Sequence, residues 1–241
     1  FGKPLGIDGD GATVLTVDRA TSHGDILEVQ KDGTRFGALG SESNGFYVDG
    51  EANHAGLKMF ATQIAPRRNG ADVDNTIDVG SATVRFKDMY LGGGLYVGGA
   101  VSANHLDDYE EGTFTATCSD AASGGNQTTT ATGIYVKIGR LVHFAFSLGN
   151  INTTGMTGSN VFHIQGLPFN APSGRNQYVS LKYQSIGFSL GTQLAAQVQN
   201  GNSFIKFREM GTGSGGDFLV VSEVVDDAGD FDVSGTYYTG S

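Results

Sequence analysis

Two dense runs of carboxylates have residue types and spacing suited to chemistry. Asp107, Asp108, Glu110 and Glu111 lie within five residues, and Asp226, Asp227, Asp230 and Asp232 lie within seven. Carboxylates this close can ligate calcium, a hard cation that takes about six to eight oxygens. The two candidate sets are Asp107, Asp108 and Glu110, and Asp226, Asp230 and Asp232. The EF-hand spacing is absent and no aspartate ladder repeats, so solvated turns are the ordinary reading of both runs. No other cofactor is expected.

Paired carboxylates also serve glycoside hydrolysis, which needs two of them flanking one sugar bond. The chain has no solenoid period to build such a cleft, and it is too short for a propeller plus an extended region. His23, His54, His105, His143 and His163 are scattered, with no H-x-H or H-E-x-x-H spacing. His143 and His163 fall on the polar sides of their strands and are candidates to be neighbours. The glycine clusters at 92–94 and 213–216 lack a following helix, so they read as backbone devices and not phosphate cradles. The expectation is a protein without catalytic residues.

Binding is better supported. The segments 119–130, 150–158, 170–177 and 211–216 are rich in Asn, Ser, Thr and Gly. Loops of that composition at the ends of a β domain suit hydrogen bonding to sugar hydroxyls. Asn126, Asn152, Arg175, Asn176 and Tyr178 are the candidate ligand-contacting residues, and Tyr183 offers a second stacking face.

The net charge of −10 and the absence of a basic cluster longer than Arg67-Arg68 argue against nucleic acid or an anionic membrane as partner. No apolar stretch approaches the roughly 20 residues of a membrane span. The N-terminal residues show no signal pattern, and opening on Phe1 is consistent with a piece of something longer. A single cysteine, Cys118, precludes an intrachain disulfide and reads as a small buried hydrophobe.

The elements that must position these residues are strands. Residues 1–105 read as short strands broken by glycine turns, including 13–18, 25–31, 34–40, 45–50, 56–61, 83–90 and 94–99. Asp32-Gly33, Asp49-Gly50 and Asn69-Gly70 are turn signals. Each strand carries only two or three apolar side chains, too few for a core within one chain. Residues 106–241 alternate more cleanly. Val142, Phe144, Phe146 and Leu148 share a face, as do Val179, Leu181 and Tyr183, while the register of 202–210 is ambiguous. Residues 217–225 read as a central strand, 231–240 as the last strand, and 192–200 as strand or helix. The fold class is all-β: a glycine-rich stalk over 1–105 and a β-sandwich, jelly-roll-like, over 106–241.

NTIDVGSATVRFKDMYL (75–91), ANHLDDYEEGTFTAT (103–117), GIYVKIGRLVHFAFSL (133–148) and IQGLPFNAP (164–172) resemble the C-terminal region of tail-fibre and fibre-like virion proteins of tailed bacteriophages, the marine type in particular. The resemblance implies a homotrimer with an intertwined stalk, in which Val84, Phe86, Leu95 and Val97 meet at the axis. It implies a C-terminal knob that adheres to a host cell-surface glycan, and other virion proteins at the N-terminal end. The chain would be made in the host cytoplasm and incorporated in the virion. An architectural head fibre, decoration or connector protein is the alternative, with a short capsule depolymerase behind it.

Overall fold

A computed structural model describes residues 6–11, 13–189, 193–211 and 217–240. The fold is all-β, with antiparallel strand pairing throughout. The chain divides into two compact units, Phe1–Met89 and Tyr90–Ser241.

The first unit is a six-stranded meander: β1 (Gly24–Lys31), β2 (Thr34–Glu42), β3 (Gly45–Gly50), β4 (Ala55–Met59), β5 (Ile64–Arg68) and β6 (Ala71–Asp72). Asp32-Gly33 (φ 52° and 76°) and Asn69-Gly70 (φ 54° and 77°) turn with positive φ at both central residues, as hairpins of this type require. Asp49-Gly50 is not a turn. It ends β3, Asp49 points inward, and the chain reverses over the next four residues. Two expected strands do not form. Residues 13–18 have no ladder partner. Residues 83–90 follow a local turn in which Ser81 donates its N–H to the Val84 carbonyl (2.6 Å) and its hydroxyl accepts the Val84 N–H (3.0 Å).

The two faces of this sheet divide the residues against the usual rule. Leu27, Leu39, Val48, Leu57 and Pro66 are successive cross-strand partners on one face, and Phe46, Met59 and Ile64 form the adjoining row. Leu27, Val29, Phe46, Val48, Leu57 and Ile64 are nevertheless 43–67% exposed. The opposite face carries Tyr47, Asp49, Lys58 and Arg67, all buried. Arg67 donates from Nε to Asp49 at 2.9 Å, bonds Glu42 through Nη1, and lies 4.4 Å over the Tyr47 ring. Lys58 reaches Glu42 at 3.1 Å and Asp72 at 3.3 Å. Tyr47 donates to Asp25 at 2.7 Å. The sheet therefore buries its charges and presents its apolar side chains outward.

The second unit opens with a small ribbon, β7 (Leu95–Tyr96) against β8 (His105–Leu106). Eight strands follow: β9 (Tyr109–Ser119), β10 (Gln127–Ile138), β11 (Leu141–Ile151), β12 (His163–Gln165), β13 (Gln177–Gln184), β14 (Gln193–Val198), β15 (Phe204–Met210) and β16 (Gly229–Tyr238). They form a closed barrel in the order β9-β10-β11-β16-β13-β14-β15-β12. Where the sequence suggested two packed sheets, one hydrogen-bonded ladder runs all the way round. Two strands make the corners by splitting their length between neighbours. The start of β13 (Gln177–Val179) pairs with β14 and the rest with β16. Most of β9 pairs with β10, and its end (Thr117–Ser119) also pairs with β12.

The barrel interior is a continuous apolar core. Val142, Phe144, Phe146 and Leu148 all point inward, as their alternation required. Phe207 stacks on Phe231 at 4.3 Å and Phe231 on Phe162 at 5.7 Å. Burying each such side chain stabilises the barrel by about 1.5–3 kcal/mol. Strand β15 settles its register with Ile205, Phe207 and Glu209 fully buried. The segment 192–200 supplies β14, a strand. Residues 217–225 are not a strand. Phe218, Val220 and Val224 make single bridges to Arg208, Val161 and Ile186, and a helical turn spans Val221–Glu223. The Glu223 carboxylate accepts the Val220 N–H at 2.8 Å and curls the chain, so Leu219, Val221 and Val224 point inward at uneven spacing.

Candidate functional site

The antiparallel registers place the loops. Tyr109 pairs with Ile138, Leu141 with Tyr238, and Gln177 is hydrogen-bonded to the Tyr238 backbone, so these residues share the end at which the chain enters the barrel. Ser119, Gln127, Ile151 and Gly229 lie at the other end. The five candidate contact residues therefore separate. Asn126 and Asn152 belong to the far end, whereas Arg175, Asn176 and Tyr178 belong to the entry end.

At the far end the Asn side chains are occupied with loop structure. Asp120, buried, accepts the backbone N–H of Asn126 (2.7 Å) and of Thr157 (2.8 Å) and the Asn126 side-chain amide (3.0 Å). Those bonds, Thr157 first, pull its carboxyl down to about 2. Asn152 Oδ1 accepts the Thr154 N–H at 2.8 Å. Asp226 accepts the Thr153 N–H and hydroxyl at 2.6 and 3.0 Å, which holds its carboxyl below the usual range. Three loops are thus tied together by two carboxylates. The segment 211–216, apart from Gly211, lies outside the described residues.

The acidic runs disperse once folded. Asp107 contacts His105 at 3.2 Å, Asp108 binds Lys137, and Glu110 accepts the Tyr135 hydroxyl. In the second run Asp226 faces Thr153, Asp230 accepts the Asn150 N–H at 2.9 Å, and Asp232 pairs with Lys182 at 2.8 Å. Among the described residues no three metal-ligating side chains converge. His143 and His163 are not strand neighbours: β11 lies between β10 and β16, and β12 between β15 and β9. His143 is exposed beside Thr236, while His163 is buried against Phe204 and bonded to the Val161 carbonyl at 2.8 Å. Burial lowers the His163 pKa and so favours its neutral form. Cys118 is fully buried, and burial raises its thiol to about 12.

Tyr178 remains exposed on the barrel wall and donates to Gln197 at 3.1 Å, whereas Tyr183 turns toward the core and packs edge-on against Phe188. The stalk candidates Val84 and Phe86 are 72% and 69% exposed, and Leu95 and Val97 are exposed as well.

Sequence reasoning missed a groove of about 620 Å³ across the outside of β10, β11, β16 and β13. Ile134, Ala145, Ser234 and Ser180 are successive cross-strand partners along it, followed by the row Ser147, Asp232 and Lys182. Lys182 and Ser147 both donate to Asp232, and these bonds, the lysine's first, hold its carboxyl low. The groove offers four hydroxyls (Thr132, Ser147, Ser180, Ser234), the Asp232 carboxylate, the Lys182 ammonium and an apolar lining of Ile134, Ala145, Phe146, Leu181 and Val233. That set can hydrogen-bond a polyhydroxyl ligand. Nothing short of the strand register would have revealed it, because Lys182 and Asp232 lie 50 residues apart.

No family model, no curated protein and no solved structure matches the chain.

Proposed function

We propose that this chain is a structural virion protein of a tailed phage, a homotrimeric fibre or fibre-like appendage whose C-terminal barrel adheres to a cell-surface glycan of a Gram-negative host. The barrel serves as the jelly-roll-like knob, the N-terminal unit associates with the same unit of two sister copies as the stalk, and other virion proteins join at its N-terminal end. The observation that carries this reading is the reversed sheet. Leu27, Val48, Leu57 and Ile64 are exposed, while Asp49, Lys58 and Arg67 are buried. A monomer rarely exposes a continuous apolar face of this kind, and sister copies packed around an axis would cover it. Val84, Phe86, Leu95 and Val97 add to the same apolar excess. Adhesion then gains from multivalency, since three weak sites on one particle act together.

A purely architectural head fibre, decoration or connector protein is the second reading. It is favoured by the separation of Asn126 and Asn152 from Arg175 and Asn176, and by the use of both asparagines in loop bonding. A capsule depolymerase has less support. A general acid for glycoside cleavage needs a raised pKa, which rules out Glu42, Asp120, Asp226 and Asp232 for that role, since these four are held low.

The test is adsorption of the purified full chain to a panel of Gram-negative cells and to an array of their surface glycans. Saturable binding that competes with phage infection is expected. Absence of any binding would leave the architectural reading, and release of oligosaccharides would establish the depolymerase.

A further inference from the structure

We propose, resting on the adhesion reading above, that a cavity at the entry end of the barrel takes an anionic saccharide, its carboxylate or sulfate group held by Arg140 and Arg175. The cavity has a volume of about 510 Å³ and is lined by Arg140, Pro172, Arg175, Asn176, Gln177 and Tyr238. That volume falls within the roughly 300–1,000 Å³ of small-ligand sites.

The lining departs from the rest of the molecule in charge. The chain carries 25 acidic and 15 basic residues, yet this cavity has two arginines and no carboxylate. Arg175 is exposed and makes no hydrogen bond or ion pair with a described residue. Arg140 uses Nε on the Thr239 carbonyl at 3.2 Å, which fixes the side chain and leaves its terminal nitrogens to donate. Two planar guanidiniums without a counter-charge among the described residues suit an oxyanion, which accepts paired N–H bonds from each.

The remaining lining suits a sugar ring. Tyr238 is 57% exposed, and its backbone is clamped on both sides by Gln177, at 3.1 and 2.7 Å. Pro172 and the Tyr238 ring give an apolar surface for the C–H face of a pyranose. Asn176 accepts the Asn200 N–H through Oδ1 at 3.2 Å, so its amide NH₂ is free to donate to a hydroxyl. Charge and ring recognition thus meet in one cavity, which neither the far-end loops nor the wall groove provides.

Isothermal titration of the full chain with trigalacturonate, a sulfated galactan trisaccharide and neutral galactotriose tests this. One of the two anionic sugars is expected to bind at least about tenfold more tightly than the neutral one, a difference of about 1.4 kcal/mol. Arg175→Gln, at an exposed unpaired side chain, is expected to abolish that preference without changing the melting temperature. Arg175→Lys is expected to recover only part of it, because an ammonium cannot pair bidentately. Equal binding of the neutral sugar, binding by Arg175→Gln equal to that of the parent, or no binding of any of the three overturns the proposal. If cell adsorption persists in that event, the adhesion reading stands without this site. If the anionic sugar binds but no cell adsorbs the protein, the site stands and adhesion falls.

Discussion

Arg67 donates to Asp49 at 2.9 Å across the width of an intervening strand, over Gly56. A Cβ on Gly56 would stand 2.5 Å from Asp49 Oδ1 and 2.7 Å from the Val48 carbonyl, so only glycine leaves the gap through which the two charges meet. Burial works against the Arg67 charge, but its bonds to Asp49 and Glu42 outweigh that and hold the guanidinium protonated. This pair explains why the polar face of the N-terminal sheet is the closed one.

Arg67→Met is therefore expected to destabilise the N-terminal unit by about 3–5 kcal/mol, because it strands a buried carboxylate. Adding Asp49→Leu should recover most of that loss, since removing both charges of a buried pair is far milder than removing one. Urea unfolding of the single and double variants checks this. Equal losses in the two would show that the pair is not coupled.

Gly166 holds φ at +96°, and a Cβ there would lie 2.0 Å from the Thr115 carbonyl oxygen. Backbone cannot move aside cheaply where β12 meets β9. Gly166→Ala is expected to lower the stability of the barrel by about 2 kcal/mol or more, combining strain and displacement. Thermal melting followed by near-ultraviolet circular dichroism measures it, and an unchanged midpoint would refute the tight crossing.

Asp120 gives the barrel a dependence on acid. Its folded pKa of about 2 lies below the ordinary 3.8, so the stability it contributes is complete above that ordinary value and is lost as pH falls through about 2. Asp120→Ala leaves two backbone donors without their acceptor, at a cost of about 2–3 kcal/mol near neutrality. The deficit relative to the parent should shrink between pH 4 and pH 2. A deficit independent of pH would mean that the carboxylate charge is not what ties the loops.

Cys118, buried beside Ile164 with its thiol raised to about 12, should resist Ellman's reagent in the folded protein and react fully once unfolded. Rapid labelling under native conditions would contradict a closed barrel core.

Much of the strand content was legible because alternation is a local property. Val142, Phe144, Phe146 and Leu148 needed only each other to announce an inward face. Leu27 and Val29 alternate equally well, but alternation alone does not say that their face lies outward. That depends on Arg67, Asp49, Glu42 and Lys58, which meet from strands 16–25 residues apart. The segment 83–90 had the strand pattern without a partner, and a turn at Ser81 took its place. For the candidate site, composition identified Arg175 and Asn176. The convergence of Arg140 and Tyr238 on them depends on strand register, as does the Asp232–Lys182 groove.

The central claim is that the N-terminal sheet obtains its apolar cover from sister copies, and sedimentation equilibrium of the full chain tests it most directly. Three chains of 25.1 kDa should give a species of about 75 kDa, and Val48→Asp with Leu57→Asp should reduce it to single chains with an intact barrel. A parent protein of about 25 kDa would contradict the account; a trimer indifferent to both substitutions would place the subunit contact elsewhere.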